Sequence, residues 1–259
     1  MNLKNSLEGL NSIIVIVGPT GSGKTGVSIE IAKKIGGEII SADSRAIYKY
    51  MDIGTAKPSI GEMRGVIHYG LDLVEPGERF TVADWKKYTE EKICSISKSG
   101  KIPIVVGGTG LYIDALVFDY NFTMESKENY SDREKIDPKF KIFGIKTEPD
   151  VLRKRLAERA DKMFVQGLFD ETRFLVEKYG WGSQAMKSNV YQFAWKYMNG
   201  EISLEEAKEL FVFDDWHLAK RQMTWFRGME RRGITINWID ALMPMNDKVS
   251  AIREKMMSE

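Results

Sequence analysis

Five consecutive β-branched residues, Ile13 to Val17, run straight into Gly18-Pro19-Thr20-Gly21-Ser22-Gly23-Lys24-Thr25, and a helical pattern follows without a break. Strand, glycine-rich turn and helix in immediate succession leave the chain few folds to choose from. The octet reads G-x-x-x-x-G-K-[ST], a phosphate-binding loop in the context that gives it meaning. Its glycines let the backbone wrap so that several N–H groups point inward. Lys24 adds a point charge, and the Thr25 hydroxyl is the expected Mg²⁺ ligand. The helix opening near Thr25 contributes its positive dipole end. Gly18 to Thr25 are therefore the candidate diphosphate or nucleotide site. The loop by itself does not choose among kinases, NTPases and transferases.

The rest of the first half keeps the alternation. A helix from Lys24 to Ile35 is stopped by Gly36-Gly37, and Glu38 to Ser41 is a second strand ending at Asp43. Thr81 and Asp84 form a capping box for a helix to about Ser97, with Val82, Trp85, Ile93 and Ile96 on its buried face. Ile102 to Val106 is the next strand, entering Gly107-Gly108-Thr109-Gly110 and a helix from Leu111 to Val117. Apolar strands between helices imply an α/β fold, a P-loop parallel sheet covered by helices on both faces. Tyr120 to Pro138 has no clear period and reads as a loop or shortened insertion. Phe140 to Ile145 resumes as a strand. The C-terminal half is mostly helical, with expected helices Pro149–Phe164, Phe169–Tyr179, Gln184–Met198 and one opened by a Ser203/Glu206 box and running towards Arg227. A last strand, Ile234 to Trp238, and a terminal helix, Asp247 to Met256, complete the pattern. The organisation is thus a core in two parts, 1–119 and 139–259, around a short segment at 120–138.

Composition narrows the partners. Of 259 residues, 43% are hydrophobic and 29% charged, and the formal net charge is +1, so a nucleic-acid partner must use a local basic patch. Cys94 is the single cysteine, which excludes an intramolecular disulfide and points to a reducing compartment. His68 and His217 are too few and too separated to suggest a metal cage. No apolar run approaches membrane-spanning length, and Met1 to Leu10 lacks a signal-peptide pattern; a cytoplasmic monomer with no membrane partner is expected.

Ligands of parallel sheets bind at the carboxyl ends of the strands. Asp43, Thr109 and the phosphate loop all lie just past strand ends, so the three are expected in one cleft. A carboxylate there can hold Mg²⁺, take a proton from a nucleophile, or cap the next turn. Thr109 can donate to a phosphate oxygen or cap a helix. No acidic residue follows Ile102–Val106, where an NTPase would hold metal and water; this favours a phosphate-binding transferase over a hydrolytic motor. Lys220 to Arg227, with Arg231 and Arg232, interleaves basic and aromatic residues. That suits a nucleic-acid backbone with base stacking, or a solvated helix face over a core stripe. Arg153, Lys154, Arg155 and Arg159 add charge on another helix, diluted by Glu148, Asp150, Glu158 and Asp161.

Taken together these stretches resemble the tRNA dimethylallyltransferase family. The phosphate loop resembles G-P-T-x-S-G-K-T, Asp43 to Lys49 resembles D-S-R-Q-I-Y-K, and Met51 to Pro58 matches M-D-I-G-T-A-K-P. Phe80 to Trp85 resembles F-S-V-A-D-F, and Gly107 to Ile113 matches G-G-T-G-L-Y-I. Arg159, Asp161, Met163, Gly167, Leu168 and Glu171 keep the spacing of a family helix, and Ala219 to Arg227 a late motif. The resemblance covers the chain from Ile13 to about Asp240. It implies dimethylallyl diphosphate in the phosphate loop, with Lys24 and Mg²⁺ at Thr25 offsetting leaving-group charge. Asp43 would accept the proton of the adenine amine and Thr109 would donate to the bridging or leaving oxygen. Asp43, Ser44, Arg45, Ala46, Lys220, Arg221 and Gln222 would face the tRNA anticodon stem-loop.

The chain also departs from the family. The helical insertion after G-G-T-G-L-Y is reduced to Tyr120–Pro138. Ala46 replaces the usual Gln, Val190-Tyr191-Gln192-Phe193 replaces G-Y-[KR]-[EQ], and Asp215-Trp216 replaces T-R. These changes remove expected cations near the diphosphate. They leave two alternatives open: a prenyltransferase acting on free adenine nucleotides, and a non-catalytic homologue that binds nucleotide or tRNA.

Overall fold

Alternation of side chains along one central strand organises the molecule. In the computed structural model, which describes residues 12–122, 137–183, 185–186 and 189–257, strand β1 (Ile13–Val17) is buried along its whole length. Ile13, Val15 and Val17 point to one face of the sheet, Ile14 and Ile16 to the other. The described residues form a sheet of β1, β2 (Gly37–Ser41), β3 (His68–Tyr69), β4 (Ile102–Gly107), β5 (Phe140–Lys146) and β6 (Asn237–Asp240). Its order is β3-β2-β4-β1-β5-β6, and every neighbouring pair is parallel. Register sets Val17 beside Gly107, and Ser41 beside Val106. The ends of β2, β4 and β1 therefore stand side by side.

Helices cover both faces, as the sequence implies. Helix α1 (Lys24–Ile35) packs Val27 and Ile31 against Ile14 and Ile16. After the short α2 (Ile60–Met63), helix α3 (Val82–Lys98) and helix α4 (Gly110–Val117) cover the opposite face with Trp85, Ile93, Ile113 and Leu116. The Thr81/Asp84 capping box forms in full. Helices α5 (Pro149–Val165), α6 (Leu168–Tyr179), α7 (Asn189–Met198) and α8 (Leu204–Arg231) build a separate core around Met163, Leu168, Tyr191 and Phe211. The far end of α8 returns to the sheet, burying Phe226 and Met229 beneath α3 and α4. Helix α9 (Met245–Met257) lies beside α1.

Several boundaries differ from the sequence reading. Helix α7 starts at Asn189 rather than Gln184, because Ala185 and Met186 are buried in a turn. Helix α8 continues to Arg231, as no glycine or proline in the left-handed or kinked state interrupts it before Gly233 (φ +89°). The last strand is Asn237–Asp240, shifted from Ile234–Trp238; Ile234 and Ile236 are buried, but pairing with β5 begins at Asn237. Ser203 accepts the Glu206 N–H, while the reciprocal half of that box does not form. The segment at 120–138 falls mostly on residues 123–136, outside the described residues.

Candidate active site

The phosphate loop takes its shape from close packing against β5 and α1. A Cβ on Gly18 would sit 2.8 Å from the Ile145 carbonyl oxygen, so no larger residue fits. Gly23 caps α1 in the left-handed region at φ +89°. Lys24 folds back across the loop, its Nζ donating to the Pro19 carbonyl at 2.8 Å. Burial lowers its pKa to about 8, against the opposing pull of Asp43, while Arg159 lowers it further. Thr25 is exposed in the first turn of α1 and lines the cleft. The buried Ser22 hydroxyl has no hydrogen-bond partner.

The second and third elements meet this loop through backbone contact. A Cβ on Gly107 would lie 2.1 Å from the Ala42 carbonyl oxygen, and Thr109 N–H donates to that oxygen at 3.2 Å. The ends of β2 and β4 are thus locked together. Ser44 N–H donates to Thr109 Oγ1 at 3.0 Å, and the Thr109 hydroxyl stands 3.3 Å from Ser44 Oγ. Asp43 turns the chain: its Oδ1 accepts the N–H of Arg45 at 2.8 Å and of Ala46 at 3.4 Å. Among the described residues nothing bonds its Oδ2. Asp43 therefore caps the turn through Oδ1 and lines the cleft.

Helices α5 and α8 form the opposite wall of a cleft of about 1840 Å³. Gln222 Oε1 accepts the Thr20 N–H at 2.8 Å, and its amide nitrogen lies against Gly108. Gln222 bridges the two glycine-rich turns. From α5, Arg155 donates to the Ser22 carbonyl at 3.2 Å and Arg159 donates to the Thr20 hydroxyl. Asp215, 13% exposed, stands 3.7 Å from Arg159, and burial raises its pKa, with Arg159 opposing. A third wall is the loop 52–57, held by Glu171: its carboxylate accepts the N–H groups of Asp52, Ile53 and Gly54 and the Tyr191 hydroxyl.

The cleft thus collects Lys24, Thr25, Asp43, Thr109, Arg221 and Gln222 as the sequence suggests, with Ser44 and Arg45 beside them. Ala46 lines it but is 4% exposed, and its methyl group offers a partner no hydrogen bond. Lys220 is exposed on α8. It lies outside the cleft, with its ammonium 5.1 Å from the Trp216 ring. Trp216 is held from the other helix by Arg153 at 4.5 Å. The basic-aromatic stretch is neither a pure nucleic-acid strip nor a plain core stripe, since Phe226 is buried while Trp225 faces the cleft. In the sequence Arg155 and Arg159 read only as helix charge diluted by acidic neighbours, with no site role attached. Their i, i+4 spacing, which puts both on one face of α5, is the signal.

A phosphate loop, a strand-end carboxylate and a hydroxyl, set at adjacent strand ends and roofed by arginines, define a P-loop α/β protein that holds a phosphorylated ligand at the carboxyl edge of its sheet. The family profile described as IPP transferase matches residues 46–140 and 122–229, and the one described as Isopentenyl transferase matches residues 11–72. A tRNA dimethylallyltransferase of Acetivibrio thermocellus is 37% identical over 292 aligned positions, covering 89% of this chain and 92% of the relative. One from Geobacillus thermodenitrificans is 35% identical over 291, covering 90% and 91%. Both alignments are longer than this chain, so these relatives carry residues that it lacks. Among solved structures, a tRNA isopentenylpyrophosphate transferase from Staphylococcus epidermidis superimposes with a TM-score of 0.83 at 32% identity, over 96% of this chain and 99% of that one. The Bacillus halodurans enzyme gives 0.83 at 31%, over 95% of each. The chain belongs to the tRNA dimethylallyltransferase family. Among the described residues, no helix is long and apolar enough to cross a membrane.

Proposed function

We propose that this protein transfers a dimethylallyl group from dimethylallyl diphosphate to the exocyclic amine of the adenine beside the anticodon in tRNA. The observation that carries this reading is Asp43, anchored through Oδ1 at a strand end in the cleft that the phosphate loop and Thr109 share. The diphosphate binds to backbone N–H groups of the phosphate loop from Gly21 to Thr25, since Pro19 has none and Thr20 N–H is bonded to Gln222 Oε1. Lys24 from the loop, and Arg155 and Arg159 from α5, offset its charge.

The amine nitrogen attacks the allylic carbon as the carbon–oxygen bond to diphosphate breaks. Asp43 Oδ2 accepts the amine proton, and Thr109 donates to the departing oxygen. An allylic carbon tolerates positive charge, so orientation and leaving-group stabilisation supply most of the acceleration. Mg²⁺ fits the donor set: the Thr25 hydroxyl would supply an oxygen ligand to an ion that otherwise prefers phosphate oxygens and water. When bound, it neutralises diphosphate charge. No group of three or more His, Cys, Asp or Glu side chains placed to hold a metal occurs among the described residues.

Mass spectrometry of an anticodon stem-loop incubated with protein, Mg²⁺ and dimethylallyl diphosphate tests the reading. The expected result is one added dimethylallyl group on the target adenine. Modification of AMP but not of the stem-loop would replace tRNA with a free nucleotide as acceptor. No product from either would overturn the transferase reading.

A further inference from the structure

Gln222 and Trp225 stand three positions apart on α8 and so share one helix face. Gln222 is fixed to the phosphate loop, and Trp225 is fixed to the turn after β4. A Cβ on Gly110 would fall 2.4 Å from indole atoms Cδ1 and Cγ, so the indole lies directly on the residue that follows Thr109. Trp225 Nε1 donates to Asp114 Oδ2 at 2.9 Å. Asp114 is 1% exposed, and the same oxygen accepts from Arg232 at 2.7 Å. The ring is held by contact on one side and by a buried ion pair at its nitrogen. Yet Trp225 is 40% exposed and lines the cleft, whereas Phe226 beside it is fully buried. A tryptophan serving only the core would be covered.

We propose that Trp225 is the stacking surface for the acceptor base. This rests on the reading of the acceptor as an adenine in tRNA. Such a base leaves its own stack to expose its amine, and an aromatic plane in the site replaces the contact it has lost. The indole suits this because its orientation is already fixed, so little ordering accompanies binding. It sits against the turn that carries Thr109, whose hydroxyl bonds the residue after Asp43, so a purine on this plane is within the same corner as the reacting groups. The dimethylallyl tail is the competing occupant, and the test separates the two.

Steady-state transfer is measured for the parent, Trp225→Phe and Trp225→Leu, with an anticodon stem-loop and with dimethylallyl diphosphate varied in turn. The expected result for Trp225→Leu is a stem-loop KM raised about 10- to 100-fold, as loss of one base–aromatic stack implies. The donor KM stays within about threefold, and Trp225→Phe recovers most of the stem-loop affinity. A second arm measures binding alone, with 2-aminopurine in place of the target adenine; the base is dim in the parent complex and bright in that of Trp225→Leu. A parent-like stem-loop KM in Trp225→Leu, or a change confined to the donor, overturns the proposal. A parent inactive on the stem-loop refutes the functional reading, while equal binding and emission in parent and Trp225→Leu refute the stack.

Discussion

Replacing Glu171 by Gln removes one charge and no atoms from the cleft wall, and the structure says what that does. Oε2 accepts from Asp52 N–H (3.0 Å) and Ile53 N–H (2.8 Å); Oε1 accepts from Gly54 N–H (2.9 Å) and Tyr191 Oη–H (2.8 Å). Every neighbour is a donor. A glutamine amide must therefore aim its NH₂ at two donors whichever way it turns. The less costly choice faces Asp52 and Ile53, which reach solvent, and keeps the oxygen on buried Gly54 and Tyr191. Hydrogen bonds to charged groups contribute about 1.5–3 kcal/mol each, so losing two, one of them exposed, predicts a destabilisation of about 2–4 kcal/mol. Tyr191→Phe removes a single bond to the carboxylate and predicts a loss of about 1–2 kcal/mol. The two changes share a partner, so their effects are less than additive. Urea unfolding followed by far-ultraviolet circular dichroism measures this, with unchanged slope as the sign that only stability moved. A Glu171→Gln midpoint equivalent to a loss under about 0.5 kcal/mol would show that the carboxylate does not hold loop 52–57.

Three further outcomes follow from the same geometry. Lys24 carries its charge below about pH 8 and loses it above, so kcat/KM for the donor falls as pH rises through about 8. A profile flat from pH 7 to 9.5 would contradict the role given to its charge. Asp215 has a raised pKa from burial, so its ionisation destabilises the folded state as pH rises from the ordinary carboxylate range through the folded value. Asp215→Asn is then more stable than the parent at pH 7, by a margin that shrinks towards pH 4, and its donor KM is lower because one negative charge leaves the diphosphate site; equal thermal midpoints at both pH values would contradict it. Gly107→Ala destabilises by 3 kcal/mol or more, roughly the upper range for overpacking, because its methyl group meets backbone at 2.1 Å and neither strand can move. A thermal midpoint within 2 °C of the parent would refute that.

The parallel sheet was legible because β1, β4 and β5 are continuous apolar runs between helical patterns, and such strands bury both faces. Convergence of Lys24, Asp43 and Thr109 was legible for a related reason: all three follow strand ends, and parallel order brings those ends to one edge. Strand β3 was hidden because His68-Tyr69 is two residues long and has no period of its own. Arg159, Glu171 and Trp225 take their roles from partners 20 to 139 residues away, which no local pattern encodes. The family spacing flagged Arg159 and Glu171 without saying what either touches. Trp225 looked like half of an aromatic stripe; only the packing of Gly110 beneath it separates it from Phe226. Adjacent residues on a helix point about 100° apart, so Arg221 lines the cleft while its neighbour Lys220 points elsewhere.

A single-turnover comparison of the parent with Asp43→Ala bears most directly on the site as a whole. Protein saturated with dimethylallyl diphosphate is mixed with labelled anticodon stem-loop, and the chemical step is timed while donor binding is measured separately. Loss of a positioned general base predicts a rate lower by about 10²- to 10⁴-fold, with donor affinity within about threefold of the parent. Transfer by Asp43→Ala at the parent's rate would contradict the assignment of the proton acceptor, and with it the account of how this cleft works.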